Sequence, residues 1–232
     1  MRVGLIGFGT IGRQVADGIL AGLAGDVTLC AVLVRRSRDE AVPLVTDLAA
    51  MLGCAPEVVV EAASSDAVTV YAERVVETGA TLILASAAAL VDAALRMRLE
   101  AASRRSGAKV IVASGALVGV DALAAAAVGG LDEVALRVVE PGSQSHVVFA
   151  GSVADGARRF PSRLNVAATI ASIADGSVVL EQQPGEKRVL EMRASGSFGE
   201  FRSELQPNLT THIVALSLLA SLRRLQQPVQ LG

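Results

Sequence analysis

The chain has 232 residues, 21 of them basic and 23 acidic, a formal net charge of -2, and 52% hydrophobic residues. That length accommodates one large domain or two small ones with a sizeable buried core. The near-neutral charge and the lack of a basic stripe argue against a nucleic-acid or anionic-membrane partner. The uncharged run TGATLILASAAALV, between Glu77 and Asp92, is too short to span a bilayer and contains Thr, Gly and Ser. The first strand is expected to begin at Arg2, which leaves no room for a leader, so a cytoplasmic location is expected. Cys30 and Cys54 make no disulfide framework and read as small buried side chains. Two cysteines and two distant histidines match no metal-ligand spacing.

RVGLIG is a short apolar run ending in glycine, and a helical pattern follows from Ile11 to Leu23. VTLCAVLV, EVVVEAA, ATLILAS and AKVIVAS are further apolar runs separated by helix-like segments. They are continuous rather than alternating, as strands buried on both faces of a parallel sheet must be. The fold class is therefore α/β: a Rossmann doubly wound parallel sheet, followed by a second, smaller α+β domain. After Gly115 the pattern changes. DEVALRVV, SHVVFAG, GSVVLEQQ and RVLEMRASG read as strands of an antiparallel or mixed sheet, and LNVAATIASIA reads as a helix with Asn165 at its start. A last amphipathic helix is expected over roughly Asn208 to Leu225, with NLTT as its capping region. The expected domains are 1–115 plus 208–232, and 116–207.

GLIGFGTIGRQV places Gly7, Gly9 and Gly12 in the G-x-G-x-x-G spacing, directly after a strand and at the opening of a helix. Gly7 permits a tight turn, Gly9 lets a pyrophosphate approach the backbone, and Gly12 lets helix and strand pack closely. The helix N-terminus, at Thr10 and Ile11, offers free N–H groups to phosphates. After the second strand, where a carboxylate would hold the ribose 2′-hydroxyl of NAD, stand Arg35, Arg36, Ser37 and Arg38. Guanidinium groups suit a 2′-phosphate, so NADP(H) is the expected cofactor, with NAD(H) possible.

The segments GLIGFGTIG, VVVEAAS, LILASAAAL, VIVASGALVGVD, VVFAGSVADGARRFP, NVAATIASIA, ASGSFGEF and NLTTHIVALSLLASLRR follow one another as do the motifs of L-aspartate dehydrogenase, a family that the chain resembles over most of its length. The resemblance implies a Rossmann domain with a second α+β domain, a homodimer, and NAD(P)-dependent interconversion of L-aspartate and iminosuccinate. It implies cofactor contacts at Ala116 in the SGA motif and at Asn165 in NVAA. Read from the residues themselves, Asn165 either caps its helix or reaches a carboxamide. Ser86 and Ser114 each end a strand at the ligand-binding edge of the sheet; Ser86 is kept as a cofactor candidate.

The chain departs from the family at one decisive place. The catalytic histidine of the family precedes the first glycine of its G-x-F-G motif by six residues. Here that glycine is Gly196, and the matching position holds Leu190. Leucine neither exchanges a proton nor donates a hydrogen bond. His212, at the start of the last helix, is a substitute candidate, and His146 reads as an ordinary polar residue; Lys187 and Arg188, close to Leu190, either belong to a solvated turn or bind a substrate carboxylate. The segments before VVFAG and around QQPGEK are shorter than in the family. Three readings remain open. The chain is an NADP(H)-dependent enzyme acting on aspartate or a related small amino acid or imine, a cofactor-binding protein without that activity, or a reductase of another small substrate.

Overall fold

In the computed structural model the described residues are 1–152, 155, 156, 159, 177–207 and 210–229. The expected helix beginning at Asn165, and Asn208, lie outside them. The chain divides into two compact units, Met1–Ala113 with Thr211–Gly232, and Ser114–Thr210.

The first unit contains β1 (Arg2–Ile6), α1 (Thr10–Leu20), β2 (Thr28–Leu33), β3 (Leu44–Val45), α2 (Leu48–Gly53), β4 (Val58–Glu61), α3 (Ser65–Glu77), β5 (Thr81–Leu84), α4 (Ala93–Ser106) and β6 (Val110–Val112). Its six strands are all parallel, in the order β3-β2-β1-β4-β5-β6. This is the doubly wound arrangement read from the apolar runs, with the two-residue β3 as an added edge. Val58, Val59 and Val60 are all buried at 3% exposure or less. They are covered on both sides, which explains why the run is continuous. The local sequence starts and stops the helices. Ser64 accepts from Ala67 N at 3.3 Å to begin α3. Asp92 accepts from Ala94 N and Leu95 N to begin α4.

The C-terminal helix, α6 (Ile213–Leu225), returns to this unit. It begins later than NLTT predicts. Its first turn closes on the carbonyl of His212, which accepts from Ala215 N at 2.9 Å, and the His212 ring accepts from Val214 N at 3.3 Å. His212 is therefore the cap, and Thr210 and Thr211 precede the helix. Leu218, Leu219 and Leu222 of α6 are buried together with Val15, Ala16 and Ile19 of α1 in one cluster.

The second unit contains α5 (Val120–Gly129), β7 (Leu131–Glu140), β8 (His146–Ser152), β9 (Ser177–Pro184), β10 (Val189–Gly196) and β11 (Gly199–Leu205). They form a mixed sheet in the order β11-β10-β7-β9-β8, in which only β7 and β9 run parallel. Strand β11 and helix α5 were not distinguished in the sequence. The turn between β10 and β11 is Ser197–Phe198, with Gly196 paired to Gly199. Leu136, Leu180, Met192 and Ala194 share a buried face with Leu117 and Leu123. Between them in the sequence, Arg137 pairs with Glu181 and Glu191, and Arg202 pairs with Glu191, each at 3.0 Å. The sheet is thus apolar on one face and ionic on the other, as period-2 alternation requires.

No helix among the described residues is long and apolar enough to cross a membrane, and no cluster of three potential metal ligands occurs among them. Leu222 is fully buried between α6 and the sheet. Replacing it with alanine is expected to destabilise the protein by about 2–5 kcal/mol, read from the shift in urea-unfolding midpoint, because the space it leaves is not refilled.

Candidate functional site

The glycine turn between β1 and α1 is built by close approach of backbone to backbone. Gly7 has φ +96°, and a Cβ there would lie 2.7 Å from both the Ala62 carbonyl oxygen and the Ala63 Cβ. A Cβ on Gly12 would lie 2.3 Å from the Gly7 carbonyl oxygen. Neither position accepts a larger residue without moving the turn. A Cβ on Gly9 would meet nothing within 4 Å. The motif therefore packs inward at two glycines and faces open space at the third. Thr10, exposed, and Ile11, half-buried, form the first turn of α1, which has no side-chain cap and no acidic residue. Its leading N–H groups have no partner within the helix, and with the helix dipole they favour an anion. This arrangement fits the pyrophosphate of a dinucleotide.

Beyond β2 the arginines have different surroundings. Arg35 and Arg36 are exposed and make no ion pair among the described residues. Arg38 donates to the Phe8 carbonyl at 2.7 Å and lies 3.5 Å from Glu40, which also binds Arg13. Arg13 and Glu40 were not singled out in the sequence. Their contact joins the first turn of α1 to a loop 27 residues away, and only the position of Arg13 directly after Gly12 hinted at it.

In the second unit, a cavity of about 290 Å³ opens on the apolar face of the sheet. Leu136, Val138, Leu180, Leu190 and Met192 line it, together with Ala116 and the polar residues Gln182, Arg188 and Glu140. Leu190, near the start of β10, is paired with Val138 of β7 on one side and Leu205 of the edge strand β11 on the other. Arg188 lies 3.4 Å from Glu140, whose carboxylate also accepts from Gln182 at 3.4 Å. Strand β10, the residue before it and the turn ahead of α5 thus bring Leu190, Arg188 and Ala116 to one cavity. Asn165 is outside the described residues. His212 belongs to the first unit, where it caps α6 and its N–H donates to Gln14 at 2.8 Å. His146 begins β8, exposed, with its ring 2.9 Å from the Gln144 carbonyl.

A further polar residue at the edge of the first sheet was missed. Glu61 ends β4 and is 1% exposed. Its carboxylate accepts from Ala63 N at 2.7 Å, Ser86 N at 2.9 Å and Ser86 Oγ at 2.9 Å. It ties together the ends of β4 and β5 and fixes the Ala62–Ala63 backbone on which Gly7 rests. The Ser86 hydroxyl is turned inward to this carboxylate. The run VVVEAAS contained the signal, a lone carboxylate closing a fully buried strand. Burial raises the Glu61 carboxyl above the ordinary carboxylate range, against hydrogen bonds that favour the anion. The folded protein therefore holds this proton more tightly than the unfolded chain. The contribution of Glu61 to stability is fully present at low pH and is lost as pH rises from the ordinary carboxylate range through the raised value. The melting temperature of the wild type relative to Glu61→Gln is expected to decline as pH rises across that window. A difference independent of pH, measured by thermal unfolding from about pH 5 to 8, would contradict this.

Comparison with known proteins places these features. Residues 7–113 match the model described as homoserine dehydrogenase, NAD binding domain, and residues 139–225 match aspartate dehydrogenase, C-terminal. The chain is 35% identical to L-aspartate dehydrogenase 2 of Bordetella pertussis over 262 aligned positions, covering 96% of each chain. It is 34% identical to L-aspartate dehydrogenase of Archaeoglobus fulgidus, covering 98% of each. The crystal structure of an aspartate dehydrogenase from Thermotoga maritima superposes with a TM-score of 0.82 at 26% identity, covering 100% of this chain and 99% of that one. With a glycine turn shaped for a dinucleotide, a second mixed sheet and near-complete coverage by these relatives, the chain belongs to the L-aspartate dehydrogenase family.

Proposed function

We propose that this chain is an NADP(H)-dependent oxidoreductase acting on aspartate or a related small amino acid or imine, and that it lacks the acid/base group usual to its family. The observation that carries the reading is the wall of the second unit's cavity, where Leu190 stands among Leu136, Val138, Leu180 and Met192. No proton moves at this position, and the loss of such a group ordinarily lowers turnover by about 10²–10⁴-fold. When bound, the nicotinamide ring supplies or accepts hydride. The glycine turn and the N-terminus of α1 hold the phosphates, and the exposed Arg35 and Arg36 receive the 2′-phosphate. In the cavity, Arg188 offers a guanidinium for a substrate carboxylate, provided that it gives up Glu140. Ala116 and Asn165 are proposed as further cofactor contacts through the family resemblance.

A second reading, a cofactor-binding protein without aspartate turnover, draws on the same leucine. One assay separates the two. With NADPH, oxaloacetate and ammonia, the wild type is expected to turn over slowly while binding NADPH. Leu190→His is expected to raise the rate by about 10²-fold, followed by loss of nicotinamide absorbance. An unchanged rate would show that the cavity itself has diverged and would favour the binding protein.

The chain is also proposed to be a cytoplasmic homodimer. Strands β8 and β11 are outermost in the second sheet, with Val147 of β8 58% exposed and Phe198, beside β11, 43% exposed. Apolar groups at sheet edges need covering, and two-fold pairing is the commonest means. Light scattering at micromolar concentration is expected to return twice the chain mass; the mass of a single chain would contradict it.

A further inference from the structure

Phe8 occupies the first variable position of the glycine motif, and two guanidinium groups lie over its ring. The Arg13 Cζ is 4.5 Å from the ring centroid and the Arg38 Cζ is 5.3 Å from it. Glu40 joins them. Its carboxylate takes both terminal nitrogens of Arg13, one at 3.1 Å and the other closer, and lies 3.5 Å from Arg38 Nε. Arg38 is further anchored by its bond to the Phe8 carbonyl. The Arg13 guanidinium holds Glu40 below the ordinary carboxylate range, so it is an anion at neutral pH.

This cluster stands where a Rossmann fold receives the adenosine end of a dinucleotide, between the glycine turn and the end of the second strand. Its donors are two arginines from different elements, stacked on an aromatic face that keeps them in place. Such a fork matches a phosphate bidentately. In the structure, however, a carboxylate of this chain already occupies the fork. The Arg13 and Arg38 side chains are 42% and 47% exposed, so the ion pairs are screened by water and open at little cost.

We propose that Glu40 is an internal counter-anion that competes with the cofactor's 2′-phosphate for Arg13 and Arg38, and so sets how strongly the protein distinguishes NADP(H) from NAD(H). The inference rests on the NADP(H) reading above and adds to it a residue that works against it. Glu40 acts in two ways. It engages donors that the phosphate would use, and its charge repels a group of about -2 charge at close range. NADH carries a hydroxyl there and is subject to neither effect. Arg35 and Arg36, which have no such partner among the described residues, set the baseline attraction; Glu40 reduces what Arg13 and Arg38 add to it.

The test is the dissociation constant of NADPH and of NADH, from nicotinamide fluorescence, for the full chain and for Glu40→Gln and Arg38→Ala. Glu40→Gln is expected to tighten NADPH binding by roughly fivefold, as removal of one screened unit charge allows, and to leave NADH within about twofold of its wild-type value on the same basis. Arg38→Ala is expected to weaken NADPH more than NADH. An unchanged NADPH-to-NADH ratio in Glu40→Gln would overturn the proposal. So would weaker NADH binding in that variant, which would mean that Glu40 holds the ribose hydroxyls. Failure of the underlying NADP(H) reading shows separately, as a wild type that binds NADH as tightly as NADPH.

Discussion

The first unit depends on a contact with no side chain in it. The turn from β1 into α1 closes only because Gly12 packs on the Gly7 carbonyl and Gly7 packs on the Ala62–Ala63 backbone. That approach brings the N-terminus of α1 over the edge of the sheet, where its unpartnered N–H groups and dipole favour phosphate. The turn needs a fixed surface beneath it, and Glu61 supplies one by holding Ala63 N and both polar groups of Ser86. A buried carboxylate with three hydrogen bonds is costly to desolvate, but it sets the relative positions of two strand ends more sharply than apolar packing alone.

Two carboxylates at this edge behave oppositely because burial dominates at one and an arginine partner at the other. Glu61 is enclosed, and burial works against its charge. Glu40 lies in the open loop after β2, and Arg13 stabilises its charge. The enclosed group organises backbone and is not available for exchange. The open one is held by exposed ion pairs, which water and an incoming anion both weaken.

The second unit follows a different rule. Alternation along β7, β9 and β10 places Leu136, Leu180 and Met192 on one face and Arg137, Glu181 and Glu191 on the other. Leu190 has the parity of the apolar face, so leucine fits its surroundings as packing. The alignment to the Bordetella pertussis enzyme spans 262 positions against this chain's 232 residues. This chain therefore lacks some segments of that relative.

The sequence by itself determined the two architectures and the glycine turn. Continuous Val-rich runs and G-x-G-x-x-G after a strand are local patterns, and local patterns report backbone periodicity and turn chemistry directly. It did not locate α5 or β11. The helix VDALAAAAVG is nearly uniform in hydrophobicity and so has no strong period, while GEFRSEL alternates but carries only two large apolar residues, Phe201 and Leu205. It placed the start of the last helix too early because NLTT has capping chemistry, whereas the closing hydrogen bonds fall on His212. Only the tertiary structure decided which polar groups meet: Arg13 with Glu40, 27 residues apart, and Glu61 with Ser86, 25 apart. Charge-assisted and buried hydrogen bonds act over about 3 Å in space, and the order of residues in the chain does not encode that distance until the sheet has formed.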